Sequence, residues 1–494
     1  MEKKNNNFQL KNIVSLFFTN RSTKQTIIKN TFWLSLSLFL SKVIKYFLII
    51  YAARILGAQE YGTFNFAMSF SALFYIFADL GISSLISREI ARNREEEVNI
   101  SAGFTLKTVL TFLTFLLIII ASFFVPHTEK IKTTIWLMAI FTLVNGMTNY
   151  FYNCFYGREE MQYQTITEVI EASVATFLGL YLIYHLPKAY ILSFAYVISA
   201  LCAFIVILPI FKKKFGNVLK LDFNISEWKK ILSLAWPITL IWLCFNVLTY
   251  TDITFLGFFK LFSQAGYYSA SQKIISLLIL PANIVITSVF PSITKAAYTD
   301  KEKAQRIFNF QNILLSIIIL PLVFGGFFLT KGLIYFLYTS SYDPSVLALK
   351  ILIFVGFFTY FSFVLSNALF IYNYQRKTFW AYFSSALLNI ILNSLFIPKW
   401  GMYGAGYATL TSTIFAFFIL YYFSLKFTPL RLLNKQFLKN FLVILINSSL
   451  MILILLKYFS SFSFIKQVLI GVVIYGLITL FLWLLRKKLQ IFDF

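Results

Sequence analysis

Two lysines, Lys42 and Lys45, stand nearly one helical turn apart in SLFLSKVIKYFLII (residues 37–50), within a long apolar run. An ammonium near a bilayer centre costs about 2.5–3.5 kcal/mol on insertion scales, so two in one run need a reason. At roughly 1.5 Å of rise per residue both lie more than about 10 Å from either end of the run, beyond easy reach of the headgroups. Ser41 precedes Lys45 by four residues, so hydroxyl and ammonium share a helix face. Such a face suits a wet cavity that receives an anion, because ammonium groups hold phosphate as point charges. The alternative is two charges paired internally for packing.

Further along, Ser269, Gln272, Lys273, Ser276 and Asn283 follow helical spacing, with Pro281 as a kink candidate. Asp252, near the outer end of the preceding apolar run, is the natural partner of Lys273. A structural pair and a gated functional pair both fit. Asp79 is alone in its run, just before Gly81. A solitary carboxylate at depth is a candidate for protonation in a working cycle, and a salt bridge to Lys42 or Lys45 is the other reading. Glu168 and Glu171, close to one turn apart, either guide a cation or answer Lys107 near the interface.

These residues need apolar elements to hold them, and the composition supplies them. The chain has 494 residues, 59% hydrophobic and 13% charged, against about 25% charged in soluble domains. A bilayer core needs roughly 20 apolar residues as helix. That ruler gives fourteen spans near 31–53, 63–87, 103–125, 133–156, 164–185, 189–211, 231–256, 266–291, 308–329, 346–371, 378–397, 402–424, 440–458 and 463–485. The expected fold is an all-α integral membrane protein.

The net charge of +24 is distributed by side. One set of loops collects Arg88, Arg92, Arg158, Lys212–Lys214, Lys229, Lys230, Lys301, Lys303, Arg306, Arg431, Lys435 and Arg486–Lys488, and the alternate loops hold few cations. The positive-inside rule then places both termini in the cytoplasm, with His127 and Asp343 outside. The surplus reads as topology and attraction to anionic lipid, rather than nucleic-acid binding. Residues 8–18 have the spacing of a helix lying on the inner surface, or form a disordered tail.

Three separated cysteines and two histidines make no metal or disulfide pattern. No GxxxxGK[ST] loop and no nucleophile–base pair in a soluble loop is present, so neither ATP hydrolysis nor another enzymatic role is indicated, and no cofactor is implied. No cleavable signal peptide is visible, and the first span serves as its own insertion signal.

An internal repeat is visible. ILGAQEYGTFNFAMSF (55–70) and FLGFFKLFSQAGYYSASQK (255–273) both run Leu-Gly, a short loop, then a Gly/Tyr pair opening the next helix. Aligned on Gly62 and Gly266, Ser69 faces Lys273 and Asp79 faces Asn283. Two six-span halves in parallel orientation suggest a transporter with its path between them. The expected organisation is a cytoplasmic segment 1–30, a six-helix bundle 31–211, a basic cytoplasmic linker 212–230, a second six-helix bundle 231–424, and two appended helices with a tail in 425–494.

FLIIYAARILGAQEYGTFNFAMSF, FADLGISSLISREIARN, AGYYSASQKI and YTSSYDPS (338–345) together resemble the Wzx-type polysaccharide flippases of the multidrug/oligosaccharidyl-lipid/polysaccharide (MOP) exporter superfamily. The resemblance covers essentially the whole chain. It implies two six-helix bundles around a central cavity, with two extra helices. It also implies movement of an undecaprenyl-diphosphate-linked oligosaccharide across the bacterial cytoplasmic membrane by alternating access, with proton or cation coupling and contacts to other polysaccharide assembly proteins. Lys42, Lys45 and Lys273 then become cavity cations for the diphosphate or an acidic sugar, and Asp79, Asp252, Glu168 and Glu171 coupling candidates. The Asn145/Asn149/Asn153 and Asn389/Asn393 stripes read as interhelical glue, or as contacts to sugar hydroxyls. Another exporter of the superfamily, for a peptidoglycan lipid precursor or a small molecule, is the neighbouring reading. A membrane glycan polymerase or ligase fits less well, because the longest outer loop, about 330–346, is short.

Overall fold

The computed structural model describes residues 19–20, 23–92, 99–125 and 128–485. The surface helix expected over 8–18, His127 and Arg486–Lys488 lie outside them. Apolar runs in lipid must satisfy their backbone groups internally, and helices do so within one segment. The helices, in chain order, are α1 (Thr23–Asp79), α2 (Ile82–Ala91), α3 (Ile100–Phe123), α4 (Glu129–Gly157), α5 (Gln162–His185), α6 (Ala189–Phe215) and α7 (Ile225–Phe258). They continue as α8 (Phe262–Thr299), α9 (Lys301–Phe328), α10 (Thr330–Tyr338), α11 (Ser345–Ile371), α12 (Gln375–Phe427), α13 (Lys435–Tyr458) and α14 (Phe464–Leu484).

Among the described residues, twelve helices are long and apolar enough to cross a membrane. Two of these are doubled: α1 breaks at Gly57 (φ 68°, ψ 171°) and α12 at Gly401 (φ 57°, ψ −134°). Glycine reaches these left-handed backbone angles without a Cβ clash. The doubled helices bring the number of spanning arms to fourteen. In the repeat, the corner that Gly57 makes in α1 corresponds to the turn between α7 and α8, where Lys260 takes a positive φ of 61°.

The run 63–87, expected as one span, is interrupted. α1 stops at Asp79, Leu80 (φ 43°) and Gly81 (φ 75°) turn the chain, and α2 follows. A Cβ on Gly81 would stand 2.9 Å from the carbonyl oxygen of Ala235 and 3.0 Å from Thr239 Oγ1. Glycine is needed there for both the backbone angle and the close approach to α7. α8 runs through Pro281 and Pro291 as one helix.

The chain divides into two compact units, Met1–Asn246 and Val247–Phe494. In the first, α1 packs on α5 and α3, and α6 on α5 and α4. Its core joins Leu85 and Ile86 of α2, Phe151 and Phe155 of α4, Phe211 of α6, and Ile231 and Ala235 at the start of α7. The Phe151 and Phe211 rings stack at 4.2 Å. In the second, α11 packs on α12 and α8, and α9 on α8 and α13. The last helix, α14, buries little beyond Gly471. It is tied on by Asn447 Nδ2 donating to Thr479 Oγ1 (2.8 Å) and Tyr475 Oη donating to the carbonyl of Ile317 (2.9 Å).

Candidate functional site

In the first unit α1 and α5 share four charges. Lys45 Nζ lies 3.0 Å from Glu171 Oε1, with 36% of the lysine side chain and 5% of the glutamate side chain exposed. Glu168, nearly one turn earlier on α5, accepts from Ser37 Oγ and from Gln164 Nε2 at 2.9 Å. Lys42 is half-buried, lies in the field of Glu168 and makes no ion pair among the described residues. The register of the two helices is set by Thr165 Oγ1 on the carbonyl of Trp33 (2.9 Å) and Thr176 Oγ1 on that of Ile44 (3.2 Å). The expectation that Glu168 and Glu171 answer Lys107 is therefore corrected, because both turn to α1.

Lys107 instead belongs to Asp79. Its Nζ lies 2.5 Å from Asp79 Oδ1, with none of the lysine side chain exposed and 18% of the aspartate side chain. Ser83 Oγ also donates to Asp79, and the Tyr75 ring centre lies 5.5 Å from the ammonium. Asp79 is thus not isolated, and its partner is not Lys42 or Lys45. The helix break places the carboxylate at the end of α1, where α2 supplies a hydroxyl and α3 a cation. The pair is neutral as a unit, and removing either member would strand the other charge in a buried place.

In the second unit Asp252 on α7 is fully buried. It accepts from Tyr268 Oη and Thr409 Oγ1, both at 2.5 Å, and from Asn393 Nδ2 at 2.7 Å. Asn389 joins the network, accepting from Asn393 at 3.0 Å and donating to Thr409 at 3.2 Å. Asn393 Oδ1 is buried without a hydrogen-bond partner among the described residues. The expected pairing with Lys273 is not formed. Lys273 is half-buried on α8 and makes no ion pair among the described residues. The buried carboxylate is held by three neutral donors, so uptake of a proton would neutralise it.

The Asn389/Asn393 stripe does act between the arms of α12 and α7, as the interhelical reading has it. Tyr268 and Thr409 were not anticipated from sequence. The only signal pointing to them was that stripe, which marks the helix face that Asp252 meets. On α4, Asn153 donates to Asn149 (2.7 Å to Oδ1) within its own helix. A cleft of about 410 Å³ in the second unit, walled by Leu322, Leu329, Met451, Val468 and Val472, contains none of the charged residues above.

Residues 27–297 match the polysaccharide biosynthesis protein family, a stretch that contains Lys42, Lys45, Asp79, Glu168, Glu171, Asp252 and Lys273. Over 462 residues the chain is 25% identical to an uncharacterized membrane protein of Methanocaldococcus jannaschii, covering 86% of this chain and 88% of that one. Over 168 residues it is 30% identical to the probable flippase AglR of Haloferax volcanii, covering 33% of this chain and 35% of the relative. Its structure superposes on the lipid II flippase MurJ in an inward closed conformation with a TM-score of 0.72 at 20% identity, covering 92% of this chain and 99% of that one. On an inward-facing MATE transporter of the MOP superfamily the TM-score is 0.63 at 15% identity, covering 79% and 97%. The chain is a multi-pass membrane protein with the MurJ and MATE fold, and it belongs to the polysaccharide biosynthesis protein family.

Proposed function

We propose that this protein is a flippase that carries a polyprenyl-diphosphate-linked oligosaccharide between membrane leaflets by alternating access. The observation that carries this reading is the family match, which spans every intramembrane charge singled out above. Lys42 and Lys45 in the first unit, and Lys273 in the second, are assigned to the substrate's diphosphate. Of these, Lys42 and Lys273 lack a counter-ion among the described residues, so their charge is free for an incoming anion. Asp252 is assigned to coupling. Its three protein partners are neutral, so a proton or cation that enters cancels a charge that no side chain has cancelled. Asp79 is the weaker coupling candidate, because Lys107 already neutralises it. Both termini are assigned to the cytoplasm from the basic-loop asymmetry. Cysteines placed singly at 213 and 343 should then label with an impermeant reagent only at 343.

The test is reconstitution of the full chain in liposomes with labelled polyprenyl-diphosphate oligosaccharide in one leaflet. Accelerated leaflet exchange that responds to an imposed proton or sodium gradient is expected. Exchange no faster than in empty liposomes under every gradient would overturn the reading.

A further inference from the structure

One end of the second unit carries an open cleft of about 520 Å³, walled by the start of α9 and by the segment 429–436 that leads into α13. Three cations, Lys301, Arg431 and Lys435, line it against one carboxylate, Glu302. None of the three has an ion-pair partner among the described residues. Among the described residues Arg431 uses only Nη1, donating to the carbonyls of Thr428 (2.7 Å) and Leu430 (3.4 Å). Its Nε and Nη2 donors remain for another acceptor.

Two helices begin in this cleft. Asp300 and Asn434 cap the backbone N–H of Lys303 (3.0 Å) and Phe437 (2.8 Å). The N–H groups of the first two residues of each helix have no intrahelical acceptor. Of those residues, Lys301 and Glu302 on α9 and Lys435 on α13 line the cleft.

The walls are fixed by amides that satisfy one another. Gln305 clamps the backbone of Arg431, accepting its N–H at 2.7 Å and donating to its carbonyl at 2.9 Å. Buried Asn309 accepts from Gln305 (2.8 Å) and Asn434 (2.7 Å) and donates to Gln436 (2.9 Å). The scaffold is saturated, whereas the cations it displays are not.

The geometry points to a binding site for a phosphate-bearing anion, either the headgroup of an anionic phospholipid or a soluble phosphate compound. Tetrahedral phosphate oxygens take the guanidinium donors on one side and helix N-terminal N–H groups on the others, with the lysines as point charges. An occupant there bridges α9 and α13 and so staples the two appended helices to the bundle.

The test uses full-length protein in nanodiscs of phosphatidylcholine alone or with about one third phosphatidylglycerol. Phosphatidylglycerol should raise the thermal unfolding midpoint of the wild type, since a ligand of the native state stabilises it. The variant K301Q/R431Q/K435Q should lose that rise. The control K212Q/K213Q/K229Q, with the same change in charge on exposed residues of the first unit, should keep it. Equal responses in the two variants, or no response in the wild type to either phosphatidylglycerol or inorganic diphosphate, would overturn the proposal. Inorganic diphosphate distinguishes the sources. If it stabilises the wild type but not K301Q/R431Q/K435Q, and suppresses the lipid effect, the phosphate group alone suffices. If it does nothing while the lipid effect depends on the cleft, the ligand is the lipid headgroup. Should the triple variant fail to fold, phosphatidylglycerol retained through purification is measured in each single variant. A loss of about tenfold in R431Q is expected, and retention equal to wild type in all three singles would also overturn the site.

Discussion

In the first unit two intramembrane carboxylates each have an ammonium, Asp79 with Lys107 and Glu171 with Lys45. In the second, Asp252 has a phenol, a hydroxyl and an amide, while Lys273 pairs with nothing among the described residues. The two arrangements differ in what they can do. An ion pair is neutral and resists change, because breaking it leaves a bare charge in a poor solvent. A carboxylate held by neutral donors keeps a net charge that a proton or cation can cancel. A conformational cycle can then be biased by whatever binds there, provided the two states hold it with different affinity. The units differ in these pairs, although Lys42 and Glu168 of the first unit also stand outside any ion pair among the described residues.

Lys107→Gln should break this comparison most severely. It strands Asp79 beside a buried cation's former place and should cost about 3–5 kcal/mol, read as a lower melting temperature and lower abundance. Asp79→Asn combined with Lys107→Gln should recover most of that loss. A double variant as unstable as the Lys107 single would mean that the pair is not the source of the effect.

Lys45→Gln should cost less, about 1–3 kcal/mol, because the lysine is partly exposed while Glu171 stays buried. Lys45→Arg should retain most of the stability, since the charge survives. A Gln variant as stable as wild type, measured by thermal unfolding, would show that Glu171 finds another donor or a proton.

Asp252→Asn should change stability by no more than about 1 kcal/mol in either direction, since it removes a buried charge and keeps the shape. In liposomes it should abolish the dependence of leaflet exchange on the ion gradient. Gradient dependence identical to wild type would remove Asp252 from coupling.

Lys42→Gln should have the smallest effect on stability, within about 0.5 kcal/mol, because no ion pair is lost. Export per molecule should fall nonetheless. Normal export per molecule in that variant would refute its role as an anion-binding cation, whatever happens to Lys45.

How far the sequence reaches is clear from these same residues. The spans are legible because each needs about 20 apolar residues in continuous chain, and lipid allows few alternatives to a helix. The break marked by Ile-Pro-Lys-Trp-Gly-Met at 397–402 is legible too, and Gly401 makes it. Lys42, Lys45 and Asp252 stand out for the same local reason, as charges within apolar runs. The partners were a different matter. Depth alone allows Lys107 to pair with Glu168 and Glu171, and Lys273 with Asp252. Depth along the membrane normal follows from counting residues, but rotation about a helix axis and the choice of neighbouring helix do not. Asp79 meets a lysine 28 residues away because the chain turns at Leu80–Gly81, and Lys45 meets a glutamate 126 residues away because α5 packs on α1. The sequence by itself determined which segments cross the membrane and which charges they carry. Only helix packing decided which of those charges cancel, because an ion pair of about 3 Å depends on azimuth and contact that no spacing along one helix records.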